Sequence, residues 1–584
     1  MTLSTHSRLS GGRLGLAALM ALLSTSVTAM AQTASQVTRE SYAPAVLRLQ
    51  NGALSLPATG GLQTPAGAET LTVTPSGLEV EGGLPALAGA TAAIEARIAG
   101  RTVSAAELFA AARDLEAAYA RAGYLLVRVS MPPQTLRDGE PLRIVVTDGF
   151  VDAIDASALP PRVRRRVEAQ MAPLVGRTGL TKGEVERRLL LAGDTPGLTL
   201  RSTLKAGAQP GSTTIVLDGD HDLLTLTSGL DDSLTGPMGT WVATLGVDVN
   251  AALGMGEVFY ARLAGHPSGG ELSLLGDDPR NRQIVAGFIL PIGTDGVWLN
   301  LEAVDSRTHP TSDLGYTMAD EYQRFSSRIG YTWLRSRDVN TSTLLVFDVA
   351  EEAQRLAIAG ELIDFTLDRT RVVRLTQTGD LRTAGGGFLS GELSLSVGID
   401  GLGARTGTVE LPLSRYGAEP EFAKLSGSLS FASPIPNTPL HLMLSAKAQT
   451  SFGDPLVSSE QISLGGLDWV SAFGSGDFSG DAGAALRAEF SLPGSLQREL
   501  PFAAGATFGL SPYVFAAAGA VRLEQPTALE QRSTTAGALG TGLRMGLSQA
   551  GSGGSATLAL EYAHGEASEE PGTDRFNLRF ASRF

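Results

Sequence analysis

Few residues in this sequence have the type and spacing that catalysis or metal binding requires. The six histidines form no H-E-x-x-H pattern and no pair four residues apart, so a zinc site is not expected. No G-x-S-x-G turn marks a hydrolase nucleophile, and the lack of cysteine removes thiol chemistry and disulfides. Asp231-Asp232 is typical of a solvated turn, and Gly474 to Asp481 lacks the EF-hand spacing. The sequence therefore predicts no enzyme, no metal site and no cofactor.

Composition and charge narrow the class of protein further. The formal net charge is −14, which disfavours a nucleic-acid partner because phosphate binding needs a basic surface. Glycine contributes 70 of the 584 residues, well above the usual share of about 7%. Many glycines are expected in a protein with many turns and tightly curved strands.

Residues 1–31 have the layout of a secretory signal peptide. Arg8 and Arg13 form a positive region, and Leu14 to Leu23 is an apolar run too short to span a membrane. Ala29-Met30-Ala31 then provides the small-x-small pattern of a cleavage site, which predicts a mature chain that begins at Gln32. An uncleaved anchor is the alternative.

Two small units with one order of elements are predicted after a linker. Residues 32–69 form the linker, with Tyr42 to Gln50 as a candidate short helix. Residues 70–154 and 155–222 each indicate the order strand, helix, helix, strand, strand, with Phe150 to Ile154 as a strand at their junction. Arginines 162 and 164–166 make a basic cluster in the second unit, interpreted as a solvated helix face or a contact for an acidic client or membrane surface.

Each unit contains a helix whose start is marked by a capping box. Ser104 precedes Glu107 by three residues, and Thr181 precedes Glu184 by the same spacing. In this pattern the two side chains satisfy each other's backbone N–H groups. Gly123 is expected to end the first of these helices in a left-handed conformation.

From residue 223 to residue 584 the hydrophobic period changes to two. Between Glu392 and Asp400, for example, apolar and polar residues alternate strictly. Such segments suit a barrel wall with lipid on one side and water on the other. We predict a membrane all-β fold, a closed 16-stranded antiparallel outer-membrane barrel preceded by two small β-α-α-β-β domains. The strands are expected to begin near residues 223, 239, 257, 281, 296, 321, 341, 363, 385, 420, 441, 482, 510, 533, 554 and 574.

The C-terminal segment fits the last strand of such a barrel. Phe576, Leu578, Phe580 and Phe584 share one face and end the chain on an aromatic residue. We interpret these four residues as the signal that barrel-assembly machinery reads during biogenesis. An ordinary amphipathic edge strand is the alternative for this segment considered alone.

Short motifs in the first unit are the most specific feature of the chain. They are Gly123-Tyr124, Met131-Pro132-Pro133-Gln134, Asp138-Gly139 and Asp148-Gly149. The chain resembles the haemolysin secretion/activation family, the outer-membrane translocators of two-partner secretion, whose polypeptide-transport-associated (POTRA) domains carry similar motifs. The resemblance makes Gly123, Tyr124, Pro132, Pro133 and Gln134 candidate client-binding or structural positions.

A long gap between the eleventh and twelfth predicted strands also matches the family. At this position the family has a loop that folds into the barrel lumen and contains the motifs Gly-Gly and Val-Arg-Gly-Phe/Tyr. The corresponding residues of this chain are 454–481. This chain has Gly465-Gly466, but its tetrad reads Val470-Ser471-Ala472-Phe473. A surface loop is the alternative interpretation.

The family's loop arginine meets an aspartate in a Phe-x-Asp-x-Gly pattern of the thirteenth strand. Here that strand has Phe515, Ala517 and Gly519, so both charged partners are missing together. Losing both members of a buried pair is far less costly than losing one. We therefore expect a lumenal loop held by weaker, uncharged contacts.

The resemblance implies an outer-membrane protein of a Gram-negative bacterium with its POTRA domains in the periplasm. It implies that the domains bind an unfolded exoprotein, similar to a haemolysin or an adhesin, by strand addition, and that the barrel exports it. Besides this client, the expected partners are outer-membrane lipid and the barrel-assembly machinery. A passive or gated porin, a barrel-assembly factor and a secreted β-rich enzyme remain as alternatives.

Overall fold

The structure is a computed structural model. It describes residues 33–44, 54–55, 63–124, 126–209, 211–267, 274–276, 278–311, 316–358, 361–494, 496–500, 505–549, 554–568 and 570–584. The predicted signal peptide lies outside these ranges, as do residues 45–50 of the candidate helix. None of the helices in the described ranges combines the length and apolarity needed to span a membrane.

The first N-terminal unit packs two helices against a three-stranded sheet. Leu78–Glu81 and Leu142–Thr147 pair in parallel, and Arg128–Ser130 pairs antiparallel with the second of them. The helices are Ala88–Ile98 and Ala105–Arg121. The strand predicted near residue 72 does not join this sheet. Instead, Thr72–Val73 pairs antiparallel with Val103–Ser104 in a separate two-stranded ribbon. Residues of the core include Leu108, Leu115, Tyr119, Leu142 and Ile144.

The second N-terminal unit has a four-stranded sheet and two helices, Pro161–Met171 and Lys182–Gly193. The strands lie in the order Leu54–Ser55, Leu198–Ala206, Ser212–His221, Phe150–Asp155. Phe150–Asp155 pairs in parallel with Ser212–His221, so this predicted strand opens the second unit, and the boundary between the units lies before residue 150 and not after residue 154.

Both predicted capping boxes are present. Ser104 Oγ accepts from the Glu107 backbone N–H at 3.2 Å, and Glu107 accepts from the Ser104 N–H at 2.6 Å. Thr181 and Glu184 repeat this arrangement. The Thr181 N–H donates to the Glu184 carboxylate and holds the pKa of that carboxyl below its usual range. Local sequence alone sets these helix starts.

Sixteen strands of the described chain form the closed antiparallel barrel, which confirms the predicted fold class. We number them barrel strands 1 to 16. Strand 1 closes the barrel by pairing antiparallel with strand 16 from Thr227–Arg583 to Asp231–Arg579. The strands are Leu224–Asp231, Val242–Asn250, Val258–Gly265, Asn281–Ile292, Val297–Thr308, Tyr316–Arg335, Val339–Ile358, Glu361–Arg382, Phe388–Gly398, Ala423–Pro434, His441–Thr450, Ala482–Ser491 continued by Leu496–Glu499, Ala506–Arg522, Ser533–Gln549, Ser555–Ala567 and Glu570–Arg583.

The barrel has an apolar exterior and a polar interior. In strand 9, Leu393 and Leu395 are 54% and 43% exposed, whereas Ser394 and Ser396 are 6% and 0% exposed. This distribution is the reverse of that in a water-soluble protein, and it suits a wall whose outer surface faces lipid.

The second N-terminal unit contacts the short turns at one end of the barrel. Arg166 donates to the Gly293 carbonyl at 2.5 Å, and Arg188 donates to the Thr294 carbonyl at 2.8 Å. Asp194 forms a two-point ion pair with Arg335 at 2.8 and 3.0 Å. Part of the predicted basic cluster therefore joins the unit to the barrel instead of facing solvent, a client or a membrane.

Candidate functional site

Residues 451–481, between barrel strands 11 and 12, fold back into the barrel interior. We call them the lumenal loop. Leu464, Val470 and Ser471 have no exposed surface. The apolar residues of the loop between Ile462 and Phe478 form one cluster with inward side chains of strands 12 to 15. The gap in the predicted strand pattern therefore corresponds to a buried loop and not to a surface loop.

Ser471, at the position of the family's arginine, lies between two opposite charges of the wall. Its hydroxyl donates to Glu561 of strand 15 and accepts from Arg487 of strand 12 at 3.1 Å. Arg487 and Glu561 are themselves paired at 2.5 Å. Asn577 of strand 16 donates to the Ser471 carbonyl at 2.9 Å. Three strands thus hold one loop residue.

The expectation of uncharged contacts for this loop is wrong. The positive charge missing from the loop is present on the wall as Arg487, and Glu561 supplies the negative charge. Ala517, at the position of the family's aspartate, lies directly opposite Arg487 in the ladder between strands 12 and 13. In this chain an ion pair lies within the wall, and the small polar Ser471 of the loop bridges it.

The other residues of the facing motif pack around this pair. The Arg487 guanidinium lies 3.7 Å from the centre of the Phe515 ring, a favourable cation–π arrangement. Gly519 is adjacent to the loop, because a Cβ atom there would lie 2.6 Å from Leu464. Phe515, Ala517 and Gly519 therefore all line the surface that receives the loop.

Glycines allow the loop to fold tightly and approach the wall. A Cβ atom on Gly465 would lie 1.9 Å from the Gly474 carbonyl oxygen, and Gly466 has a φ of +115°, a conformation that disfavours other residues. In strand 15, a Cβ atom on Gly565 would lie 2.4 Å from Ala472 and 3.0 Å from Phe473. Gly565 therefore makes room for Ala472 and Phe473.

Ion pairs also attach the lumenal loop to the wall at positions other than Ser471. Glu460 pairs with Arg374 of strand 8 at 2.6 Å and with Lys424 of strand 10 at 2.7 Å. Asp468 pairs with Arg579 of strand 16 at 2.7 Å. These ion pairs distribute the attachment of the loop over much of the barrel circumference.

A second part of the chain lies in the lumen, on the opposite wall. We call residues 33–44 the N-terminal segment. Its Ala34 N–H donates to Asp320 at 3.0 Å, and its Tyr42 N–H donates to Glu302 at 2.9 Å. The linker predicted for residues 32–69 therefore includes a stretch bound inside the barrel. This stretch has no clear hydrophobic pattern, so the sequence gave no sign of that location.

The N-terminal segment and the lumenal loop also contact each other. The Gln36 side-chain amide donates to the Ser479 hydroxyl at 3.3 Å. The segment contacts strands 4 to 7, and the loop makes contacts from strand 8 to strand 16, so the two together touch a large part of the barrel circumference.

The candidate client-binding residues of the first unit lie at its junction with the second unit and along its sheet. The Gly123 carbonyl accepts from the Lys182 N–H at 2.7 Å. Tyr124 packs edge-on against the core residue Tyr119 with ring centres 6.3 Å apart. Gln134 pairs with the backbone of Arg143 at 2.8 and 2.9 Å, as a neighbouring strand would. Pro132 and Pro133 precede it in the same connection.

The four C-terminal residues of the predicted assembly signal belong to strand 16 or end the chain. Phe576 and Phe584 are exposed, and Phe580 is 36% exposed on the same outer face. Leu578 belongs to that face, and its N–H is held by Asp232 at 3.0 Å. Phe584 forms two backbone hydrogen bonds with Leu226 of strand 1.

Sequence reasoning missed Arg487, Glu561, Glu460 and Arg374, which are central to the site. The sequence could have indicated these residues in part, because each is a charged residue in a barrel strand or in the long gap between strands. A charge at an alternating inward position marks a lumenal residue, but the pattern does not say which charges meet.

Comparisons with known proteins agree with this architecture. The family model described as "Haemolysin secretion/activation protein ShlB/FhaC/HecB" matches residues 211–545, and that for "POTRA domain, ShlB-type" matches residues 74–149. A comparison with curated proteins found no match.

Two solved structures share the fold. CdiB from Escherichia coli is 19% identical, with a TM-score of 0.69, and the alignment covers 99% of this chain and 100% of that one. CdiB from Acinetobacter baumannii is 14% identical, with a TM-score of 0.57 and coverages of 98% and 97%. Because one family model spans more than half of the sequence, this chain belongs to the haemolysin secretion/activation protein family of outer-membrane, POTRA-bearing β-barrels.

Proposed function

We propose that this protein exports a large secreted protein, similar to a haemolysin or an adhesin, across the outer membrane of a Gram-negative bacterium. The observation that carries the proposal is that two segments of chain, each held by hydrogen bonds, lie inside the barrel lumen. A lumen occupied by segments that are held through non-covalent contacts suits a regulated passage. A passive porin needs a lumen that is open at rest.

The client is proposed to bind the N-terminal units in the periplasm as an added strand. In the first unit, Leu78–Glu81 and Arg128–Ser130 are the outer strands of the sheet. In the second unit, the edge at Leu198–Ala206 is already paired with Leu54–Ser55. An exposed edge offers backbone donors and acceptors to any extended chain. Phe150–Asp155 is the other edge of that sheet, so both units offer an edge strand. The first unit is the proposed docking site because Pro132 to Gln134 follow one of its edges.

After docking, the client is proposed to enter the lumen as the N-terminal segment and the lumenal loop move. Inside the barrel, the described carboxylates and guanidinium groups around Ser471 pair with one another. We propose a translocator and not an enzyme. The exposed face of strand 16, with Phe576, Leu578 and Phe580, is proposed to bind the barrel-assembly machinery during biogenesis.

The proposal is tested by comparing culture supernatants of the native host with and without this gene. We expect one large secreted protein to disappear and to return when the gene is restored on a plasmid. A matched control restores the gene with Val409→Ala, a change at a fully exposed loop position. An unchanged supernatant would favour a porin, and a broad loss of outer-membrane barrels would favour an assembly factor.

A further inference from the structure

We propose that Asp320, Glu352 and Asp368 form a binding site for a primary ammonium group on the inner wall of the barrel. The occupant is the α-ammonium group of Gln32, which removal of the signal peptide creates at the expected cleavage site after Ala31. Processing of the precursor thus supplies the cation that this part of the wall lacks. The site is filled in this way whatever client the barrel exports.

The three carboxylates come from neighbouring strands. Glu352 of strand 7 lies directly opposite Asp368 of strand 8 in the ladder. Asp320 of strand 6 lies opposite Gln354, which follows Glu352 by two residues on the same face. Opposite residues of an antiparallel pair have Cβ atoms about 4.5–5.5 Å apart, and diagonal neighbours are about 7–8 Å apart. The three side chains therefore form one group, in which Asp320, Glu352 and Asp368 are 5%, 1% and 2% exposed.

Each carboxylate uses one oxygen and leaves the other without a partner. The Ala34 N–H donates to Asp320 at 3.0 Å, and the Ser35 N–H donates to Glu352 at 3.2 Å. A backbone N–H of the loop after strand 9 donates to Asp368 at 2.8 Å. The second oxygen of each group is buried and has no hydrogen-bond partner among the described residues. Unsatisfied buried acceptors are costly, and an ammonium group offers three N–H donors in one place.

The negative charge of this group is also unbalanced, unlike that of other buried carboxylates in the lumen. Glu302 pairs with two arginines of strand 6 at 3.1 and 3.2 Å, and Glu460 pairs with an arginine and a lysine at 2.6 and 2.7 Å. Arg405, from the loop after strand 9, donates instead to the carbonyls of Leu367 and Leu411. Among the described residues, none forms an ion pair with the three carboxylates. Burying several carboxylates together without a cation is strongly unfavourable.

The start of the mature chain lies within reach of this group. Gln32 itself lies outside the described residues, but the nitrogen of Ala34 is 3.0 Å from Asp320. Two residues of chain span at most about 7 Å, so the α-nitrogen of Gln32 lies no more than about 10 Å from the Asp320 carboxylate. Residues 34–37 form a turn, and the N–H groups at the start of a turn of this kind point toward the preceding residues. Because these N–H groups reach the carboxylates, the preceding residues lie on the same side.

Cleavage changes the chemistry of one nitrogen at this position. In the precursor, the nitrogen of Gln32 belongs to a neutral peptide bond and carries a single N–H group. After cleavage, the same nitrogen belongs to an α-amino group, which is mostly protonated at neutral pH. Only the processed chain therefore brings a positive charge and three donors to the carboxylates.

The first test uses wild-type protein purified from outer membranes. Mass spectrometry of the N-terminal peptide should show a chain that begins at Gln32, and a different start would overturn the proposal. An amine-reactive ester at neutral pH should then label Gln32 at least about tenfold more slowly in the folded barrel than in the urea-unfolded chain, because nearby carboxylates favour the unreactive ammonium form. Lys205, which is exposed in the second unit, is the internal reference and should react at similar rates in both states. Equal labelling of Gln32 in the two states would also overturn the proposal.

A substitution in the wall separates charge from burial. Glu352→Gln keeps an acceptor for the Ser35 N–H but removes one negative charge. We expect a lower midpoint temperature of heat-induced unfolding and severalfold faster labelling of Gln32. Glu489→Gln is the matched control, because Glu489 is also 1% exposed and pairs with Arg544 on the opposite wall; it should leave the labelling rate unchanged. If the three carboxylates had no cation, Glu352→Gln would relieve their repulsion and raise the midpoint, which would contradict the proposal.

Removing the ammonium group tests the occupant without changing the wall. Glutaminyl cyclase bonds the α-nitrogen of Gln32 to its own side-chain carbonyl carbon, ammonia leaves, and an uncharged lactam remains. After refolding in detergent, we expect the cyclised chain to unfold at a lower temperature than the untreated chain. In the cyclised chain, Glu352→Gln should raise the midpoint, the reverse of its effect in the untreated chain. Gln32→Ala cannot cyclise, so the enzyme should leave its midpoint unchanged.

A metal ion and a proton shared between carboxylates are the other possible occupants. Either would leave the midpoint unchanged on cyclisation, and a metal ion would also make the midpoint fall when EDTA is added. Each of these results would overturn the assignment of the ammonium group. If Glu352→Gln failed to fold, the labelling rates and the cyclised wild-type chain would still decide. None of these measurements depends on secretion, so their failure is distinguishable from failure of the proposed function.

Discussion

The two sides of the barrel lumen hold their occupants in different ways. On the side of strands 12 to 16, side chains of the lumenal loop make most of its contacts, with Ser471 between Arg487 and Glu561 and Phe473 in an apolar cluster. On the side of strands 4 to 7, the hydrogen bonds of the N-terminal segment come mainly from its backbone, as at Ala34 and Tyr42, and the side chains of these two residues pack against the wall.

This difference separates a sequence-specific attachment from a sequence-tolerant one. Side-chain packing depends on shape and charge, so the loop has one sequence that fits its wall. Backbone hydrogen bonds are similar for most residues, so the attachment on the other wall depends less on the sequence of the segment that it holds.

The largest effect is expected from removing a charge on the loop side. Glu561→Ala leaves the Arg487 guanidinium without its closest carboxylate in a buried site, a change that typically costs about 3–5 kcal/mol. The loss of stability is measured as a lower midpoint temperature of heat-induced unfolding, which the gel mobility of the barrel reports. Replacing both residues with leucine should cost less than Glu561→Ala. A double variant as unstable as the single one would show that the pair is not the cause.

A smaller loss of stability is expected from truncating an apolar side chain that attaches the loop to the wall. Phe473→Ala removes a ring that is 8% exposed and packs edge-on against Phe478 at 4.8 Å. Such truncations cost about 3 kcal/mol. Limited proteolysis of residues 451–481 should become faster, whereas Val409→Ala should leave the cleavage rate unchanged. Equal rates in the two variants would mean that the cluster does not hold the loop.

Restoring the family's charges would sharpen the comparison further. Ser471→Arg places a second cation beside Arg487, and the like charges should loosen the loop by about 1–2 kcal/mol and raise channel conductance. Adding Ala517→Asp, directly opposite Arg487 in the ladder, should reverse part of the effect. If the single change closed the channel, the wall pair would not be the partner of Ser471.

The smallest effect is expected from a side-chain change in the N-terminal segment. Gln36→Ala removes one hydrogen bond to Ser479 and should cost about 1 kcal/mol or less. Resting conductance should change by less than about threefold. A large opening would indicate that the segment is held by its side chains and would remove the contrast between the two walls.

Much of the fold was predictable because it depends on local patterns. The alternation in strand 9 and the capping boxes at Ser104 and Thr181 need only neighbouring residues. Strand ends were less predictable: strand 12 begins at Ala482 as expected, but strand 6 begins at Tyr316 and not near residue 321. The start of a strand depends on the length of its partner, which the local sequence does not contain.

The candidate site was predictable only in outline. The glycine pair and the tetrad from Val470 to Phe473 indicated a lumenal loop through the family resemblance. Because the loop arginine is missing, the same reasoning predicted uncharged contacts. It considered only the two positions Ser471 and Ala517 and not the charged residues of the surrounding wall. The N-terminal segment has no clear hydrophobic pattern, and most of its hydrogen bonds to the wall come from its backbone.

The sequence by itself determined the period of two, the number of strands and the starts of two helices, because these depend on residues close in the chain. Only the tertiary structure decided which lumenal charges meet. Arg487 and Glu561 are 74 positions apart in the sequence, and Ala34 and Asp320 are 286 apart. Such pairs come together because closure of the barrel and the register of its strands place them on facing parts of the wall, and no local pattern encodes that register.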